Sequence, residues 1–248
     1  MLAAERHARI LQHVERRERA SVGELAAVLA TSPATVRRDL TRLEDAGLLQ
    51  RVHGGAVVVR TLLATPAATE ENEALARAVR SRLLPGDAVI LVGQAVMPVV
   101  ARKLASEPIR LIVVSNQLEI ARTLLGKPGI EIVLLGGKLH SAGYTLPQPL
   151  GAGDLKFLVV NKAFVEVEAV HAKAGITTTL AQDAQFQRDL LQHALHKTVV
   201  APASHWGLAF THRVALATEI DVWLTTTLGA AQRAEVASFG CQVVESAA

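Results

Sequence analysis

Ser21-Val22-Gly23-Glu24-Leu25-Ala26-Ala27-Val28-Leu29-Ala30-Thr31-Ser32-Pro33-Ala34-Thr35-Val36-Arg37-Arg38-Asp39-Leu40 is the stretch that decides how the N-terminal part of the chain folds. Ser21 followed three residues later by Glu24 is a capping box, in which two helix-end N–H groups find side-chain acceptors. It launches a helix over 22–29 that turns Leu25, Ala26 and Leu29 inward. Ala30-Thr31 is a tight turn. Ser32 then caps a second helix, and Pro33 takes its first position, where a missing N–H costs nothing. This helix runs over 33–46, with Gly47 as its C′ residue. Val36, Leu40 and Leu43 lie at i, i+4 and i+7 and form its buried stripe. Ala34, Thr35, Arg37, Arg38 and Thr41 fall on or near the other side. Two adjacent arginines and a short hydroxyl residue near the start of an exposed helix are what reading the major groove requires. Asp39 is expected to orient one of the arginines or to answer Arg42.

Upstream, residues 4–17 read as a helix with Ile10, Leu11 and Val14 on its apolar stripe and Arg6, Arg9, Arg16 and Arg17 on its flanks. On the other side, Leu48-Leu49-Gln50-Arg51-Val52-His53-Gly54-Gly55-Ala56-Val57-Val58 reads as two strands separated by Gly54-Gly55, a β-hairpin wing. Arg51 and His53, near its tip, are placed to reach phosphate or the minor groove. The linked pattern predicts a winged helix-turn-helix that grips duplex DNA over residues 1–60. A small helical domain that binds another protein is the blander alternative. Charge agrees with the first reading: residues 1–60 hold ten arginines and seven acidic residues, a balance of +3, and the remaining sixteen basic and sixteen acidic residues cancel. The basic residues of the head are all arginine, the better fork for phosphate and guanine edges.

The same stretch resembles the DeoR family of bacterial transcription regulators. The resemblance rests on Glu5-Arg6, Ile10-Leu11, Val22 to Ala26, Ser32 to Leu40, Leu43, Gly47 to Leu49 and Arg51 to Ala56, all in fixed register. It implies DNA contact by Thr35, Arg37 and Arg38, and a chain that acts as a regulator, most often a repressor.

Thr61 to Glu71 has no clean periodicity and reads as a linker over 61–71. Residues 72–248 then read as an α/β domain with a largely parallel sheet, so the whole is an α+β chain of two domains. A helix near Glu70 carries Leu75, Val79 and Leu83. Strands are expected at 88–92, 111–114, 130–135, 157–160, 197–201, 221–225 and 242–244, and helices at 98–105, 118–125, 183–194 and 231–239. In such sheets ligands sit beyond the C-terminal strand ends. That points to Gly93, Gln94, Asn116, Lys138, Ser204 and His205 as effector-binding candidates.

Here the chain resembles the family's C-terminal sensor domain, itself similar in layout to sugar-phosphate isomerases. Val114-Ser115-Asn116, Leu134 to Leu139 and Ala174 to Thr178 carry this part of the resemblance, which implies a phosphorylated-sugar effector. Three departures cut against that ligand. Where the family has an Asp, a small residue and Gly-Thr-Thr, this chain has Val92-Gly93-Gln94-Ala95-Val96. His205 replaces a lysine, and Asn161 replaces an aspartate after the strand near residue 160. Either the pocket takes a different, less anionic effector, or sensing has lapsed and the domain is a dimerisation scaffold.

An isomerase-like enzyme is a remote third reading, since no positioned acid or base is evident; Glu166 and Glu168 are not obviously convergent with a nucleophile. No catalytic residue is assigned. His193 and His196, read as lying on a helix, form no zinc motif with the single cysteine, Cys241, so neither metal nor cofactor is expected. No apolar run approaches the twenty residues of a membrane span, and Met1-Leu2-Ala3-Ala4-Glu5 opens no secretory segment. The expected partners are operator DNA, one or three further copies of the chain (a homodimer or homotetramer) and a small-molecule effector. The expected place is the cytoplasm.

Overall fold

The computed structural model of the chain describes residues 3–17, 19–45, 49–52, 54–58, 69–139, 145–146 and 158–246. The chain divides into two compact units, Met1–Ala64 and Thr65–Ala248.

In the first unit, α1 (Ala3–Arg17), β1 (Arg19–Ser21), α2 (Val22–Val28) and α3 (Pro33–Asp45) precede the strands β2 (Leu49–Val52) and β3 (Gly55–Val58). Ile10, Val14, Leu25, Val36, Leu40, Leu43 and Leu49 are buried together, so each helix spends its apolar stripe on one core. Ser21 Oγ accepts the Glu24 N–H at 3.1 Å and Ser32 Oγ accepts the Thr35 N–H at 3.1 Å, the two caps expected from sequence. The Glu24 carboxylate, however, also reaches His13 Nε2 at 3.2 Å, a buried side chain of α1. Between α2 and α3, Ala30 takes φ 48°, the one positive φ outside glycine among the described residues.

The wing differs from its sequence reading in two ways. First, β3 is the middle of a three-stranded sheet, ordered β1-β3-β2, and β1 was not foreseen because three residues carry no periodic signal. Second, Gly54-Gly55 is not the turn between strands: Gly55 lies in β3, paired with Val52 on one side and Ser21 on the other. A Cβ at Gly55 would stand 2.2 Å from the Ala20 carbonyl oxygen, so this glycine is what lets β1 close on β3. Gly54, at φ 87°, supplies the turn, and its carbonyl accepts the Val22 N–H at 2.7 Å.

The second unit is built on a seven-stranded sheet, all of whose neighbours run parallel, in the order β15-β14-β12-β9-β4-β5-β6. Its elements in chain order are α4 (Glu70–Arg80), β4 (Ala88–Val92), α5 (Met97–Ser106), β5 (Leu111–Ser115), α6 (Leu118–Leu124), β6 (Ile130–Leu134), β7 (Lys138–Leu139), β8 (Thr145–Leu146), β9 (Val160–Glu166), β10 (Ala169–His171), β11 (Gly175–Thr178), α7 (Ala181–Gln192), β12 (Ala194–Val200), β13 (His212–Ala215), β14 (Val222–Thr225), α8 (Ala230–Val236) and β15 (Gln242–Glu245). Along β4, Val89 and Leu91 join the core under α4, α5 and α6, whereas Ile90 and Val92 join the core with α7. Burial on both faces explains why this strand reads as an unbroken apolar run. The helix expected near Glu70 begins there, capped by Thr69, so Glu70 and Glu71, also counted in the linker from sequence, form the first turn of α4.

Two strands were misplaced in the sequence reading. The strand expected at 157–160 runs instead from Val160 to Glu166, and Phe157 lies outside the described residues. Its polar beginning hid it. Asn161 Oδ1 accepts the Ala88 N–H at 2.8 Å, and Lys162 Nζ donates to Arg82 O and Asp87 Oδ2, each at 2.7 Å, so both polar side chains tie β9 to the turn before β4. Likewise β12 begins at Ala194, because it pairs with β9 from Val160 onward. His193 therefore caps α7 and His196 lies on a strand, not on a helix. A small antiparallel sheet, β10-β11-β13, was not anticipated.

Candidate functional site

Helix α3 presents two faces. Val36, Leu40 and Leu43 are buried, and Arg37 and Arg38 are exposed; neither arginine has an ion-pair partner among the described residues. Thr35 is half-buried, and its Oγ1 lies 2.9 Å from Ser32 Oγ, so its hydroxyl is shared with the helix cap. Thr41 Oγ1 donates to the Arg37 carbonyl at 3.0 Å.

Asp39 does neither of the things expected of it. It is 1% exposed and turns to α1: Arg6 Nε donates to Oδ2 at 2.5 Å, Arg6 Nη2 to Oδ1 at 3.0 Å, and His7 Nε2 lies 3.0 Å from Oδ1. The Arg6 hydrogen bond is the main cause that lowers the Asp39 pKa, with burial opposing and His7 helping. Its position carried the signal: between Val36 and Leu40, Asp39 lies on the inward face, where a carboxylate must be paired. The pair fixes α3 to α1 and leaves the arginines two and one residues earlier facing out. Arg51 lies on β2, paired with Ala56; its side chain and all of His53 lie outside the described residues.

The sensor candidates lie along the C-terminal edge of the large sheet. The chain leaves β4 toward β5 and β6 on one side and returns to β9 on the other, so the topological switch point lies between β4 and β9. Gly93 follows β4 there, with Gln94 half-buried beside it. The Glu166 carboxylate, at the end of β9, fills that place. Its Oε2 accepts the Ala95 N–H at 2.9 Å, and its Oε1 accepts those of Val96 and Met97, each at 2.7 Å.

Asn116, 2% exposed, follows β5. Ser204 is exposed on a short 3-10 turn after β12, and His205 Nδ1, on the same turn, lies 3.1 Å from the Val167 carbonyl. Lys138 is in β7, but its side chain lies outside the described residues. Asn161 belongs to the opposite end of β9 and is no part of this edge, so its departure from the family pattern says nothing about the effector. Nearby, Glu168 Oε2 accepts from Thr178 Oγ1 at 2.9 Å and from the Thr179 N–H at 2.8 Å. Burial first, and the Glu168 charge second, push the Asp183 carboxyl up to about 6. Glu166 was weighed from sequence only as a catalytic carboxylate, because one that caps a helix seventy residues earlier leaves no local pattern.

Among the described residues no group of three or more His, Cys, Asp or Glu could hold a metal ion, and no helix is long and apolar enough to cross a membrane.

The family model of the DeoR-like helix-turn-helix domain matches residues 6–61, and that of the DeoR C terminal sensor domain matches residues 67–227. The HTH-type transcriptional regulator GlpR of Haloferax volcanii is 30% identical over 256 residues, 100% of both chains. The HTH-type transcriptional repressor GlcR of Bacillus subtilis is 30% identical over 92% of this chain and 90% of its own. The glycerol-3-phosphate regulon repressor of Escherichia coli is 26% identical over 84% of each. A solved ribose 5-phosphate isomerase A from Methanocaldococcus jannaschii aligns with 54% of this chain and 53% of its own at 12% identity and a TM-score of 0.38.

Proposed function

Because this chain belongs to the DeoR family of transcription regulators, we propose that it represses metabolic genes by binding operator DNA as a homodimer or homotetramer. The observation that carries this reading is the division of α3: one face locked into the core through Asp39 and Arg6, the other offering Arg37 and Arg38 outward. A recognition helix must be held rigidly for its forks to meet base edges. In this reading Arg37 and Arg38 read bases, Thr35 approaches beside them, and Arg51 and His53 on the wing meet the sugar-phosphate backbone. Paired copies read two half-sites one or more helical turns apart. Repression is the sign favoured because two of the relatives are named as repressors. Its work belongs to the cytoplasm, beside the chromosome, and involves no catalysis.

The sensor unit couples operator binding to a small molecule at the strand ends, where Gln94, Asn116, Lys138, Ser204 and His205 are the candidate contacts; Gly93, the sixth candidate from sequence, is covered by Glu166. The test is to map binding sites of the chain across its host genome and compare transcripts with a deletion strain. Genes beside the sites rise on deletion if the reading holds. Genes that fall would reverse the sign, and an absence of discrete sites would end the operator reading.

A further inference from the structure

We propose that Glu166 is a built-in anion, occupying the cradle at the start of α5 and closing it to phosphate-bearing effectors. Three backbone N–H groups, of Ala95, Val96 and Met97, converge on its carboxylate at 2.9, 2.7 and 2.7 Å. The N-terminus of a ten-residue helix with free N–H groups is a place where a phosphate would be held. Here the N-cap is Val96, whose hydrocarbon side chain can accept none of them, and the distant carboxylate takes the acceptor's place.

The approach is built in from both sides. Val92 pairs with Val165, so Glu166, the last residue of β9, stands opposite the residue that follows β4. That residue is Gly93, at φ 154°, and a Cβ there would stand 2.2 Å from Cδ of Glu166 and 2.3 Å from its Cγ and Oε1. No other residue at position 93 admits the carboxylate. The rest of the loop offers an incoming anion no hydroxyl, and Val96 and Met97 are 3% and 0% exposed, which seals the cradle from behind. A tethered carboxylate competes at a high effective concentration, and a phosphate would have to expel it or sit beside its negative charge. The effector of this chain is accordingly held by other groups of the strand ends, without a phosphate in this cradle. This inference concerns the sensor unit alone, and it is read without DNA, so it stands or falls apart from the operator reading.

The experiment measures inorganic phosphate binding and thermal unfolding of the full chain, with sodium chloride at matched ionic strength as the reference. Wild type, Glu166→Gln and Glu166→Ala are compared. Wild type is expected to show no phosphate-specific shift. Glu166→Ala is expected to unfold at lower temperature and to recover with phosphate, binding it about tenfold or more tightly than wild type; Glu166→Gln, still offering one acceptor, lies between. If Glu166→Ala folds in phosphate but not in chloride, the inference is upheld by the same logic. Phosphate binding by wild type as tight as by Glu166→Ala would overturn it. So would a Glu166→Ala chain that phosphate neither binds nor rescues, since Glu166 would then be a structural cap alone.

Discussion

Arg6 and Asp39 lie thirty-three residues apart in sequence and form a two-pronged ion pair, Nε to Oδ2 at 2.5 Å and Nη2 to Oδ1 at 3.0 Å, that joins α1 to α3. The pair makes a motif that looks like DNA chemistry, Arg37-Arg38-Asp39, into two different things. The arginines face solvent, and the aspartate faces the core.

Replacing Asp39 by Ala is therefore expected to destabilise the head, not to relax base preference. Losing hydrogen bonds to a charged group costs about 1.5–3 kcal/mol, and Asp39→Asn should recover only part of it. The folded Asp39 pKa lies below its ordinary value, so its contribution is present above that ordinary value and is lost as pH falls through the lowered one. Urea unfolding of the head across pH checks both: the variant and wild type should differ at pH 7, and the gap should narrow as the pH falls below the ordinary value of 3.8.

Ala30 holds φ 48° in the turn between α2 and α3, a conformation that penalises any Cβ. Ala30→Gly should raise the stability of the head by about 0.5–1 kcal/mol, and Ala30→Val should lower it. A thermal melt of each variant decides this; a glycine variant that melts lower than wild type would show that the turn is not strained.

The two wing glycines should fail differently. Gly55→Ala brings a Cβ to 2.2 Å from a backbone oxygen, so β1 must separate from β3. Gly54 has open space around it and only its φ of 87° to defend. Gly54→Ala should cost about 1 kcal/mol, with DNA affinity nearly kept, whereas Gly55→Ala should weaken binding to every sequence alike. Equal losses for the two would contradict the sheet order β1-β3-β2.

Asp183 gives the sensor unit a pH-dependence of opposite sign. Its folded value of about 6 lies above its ordinary 3.8, so its contribution is fully present below 3.8 and is lost as pH rises through 6. Asp183→Asn, which resembles the protonated form, should stabilise the unit at pH 8 by about 3 kcal/mol or less and leave it unchanged at pH 4. Unfolding midpoints at the two pH values provide the check.

Much of this was legible in the residues and some was not, for physical reasons. Ser21, Ser32 and Pro33 act locally, within a turn of the helix they start, so their roles could be read directly. The apolar run of β4 announced a strand buried on both faces. Asn161 and Lys162 concealed the start of β9, because polar groups that bond across strands look like loop. Asp39 and Glu166 were misjudged or passed over for one shared reason: each answers a group far away in the chain, Arg6 in one case and the N–H groups of residues 95–97 in the other. Pairing at that range depends on how elements pack, which local patterns do not reveal.

Whether α3 reads an operator through Arg37 and Arg38 is decided by selecting preferred sites from a random duplex pool. Affinity for the selected site and for random duplex is then measured across salt for wild type, Arg37→Ala, Arg38→Ala and Arg51→Ala. Loss of a base-reading arginine should reduce discrimination by about 1–3 kcal/mol, so at least one of the first two variants should lose about 5- to 150-fold of its preference for the selected site over random duplex. Arg51→Ala should weaken both alike and flatten the salt dependence, as loss of a phosphate contact does. A wild-type chain that prefers no sequence, or Arg37 and Arg38 variants that discriminate as well as wild type, would contradict the account.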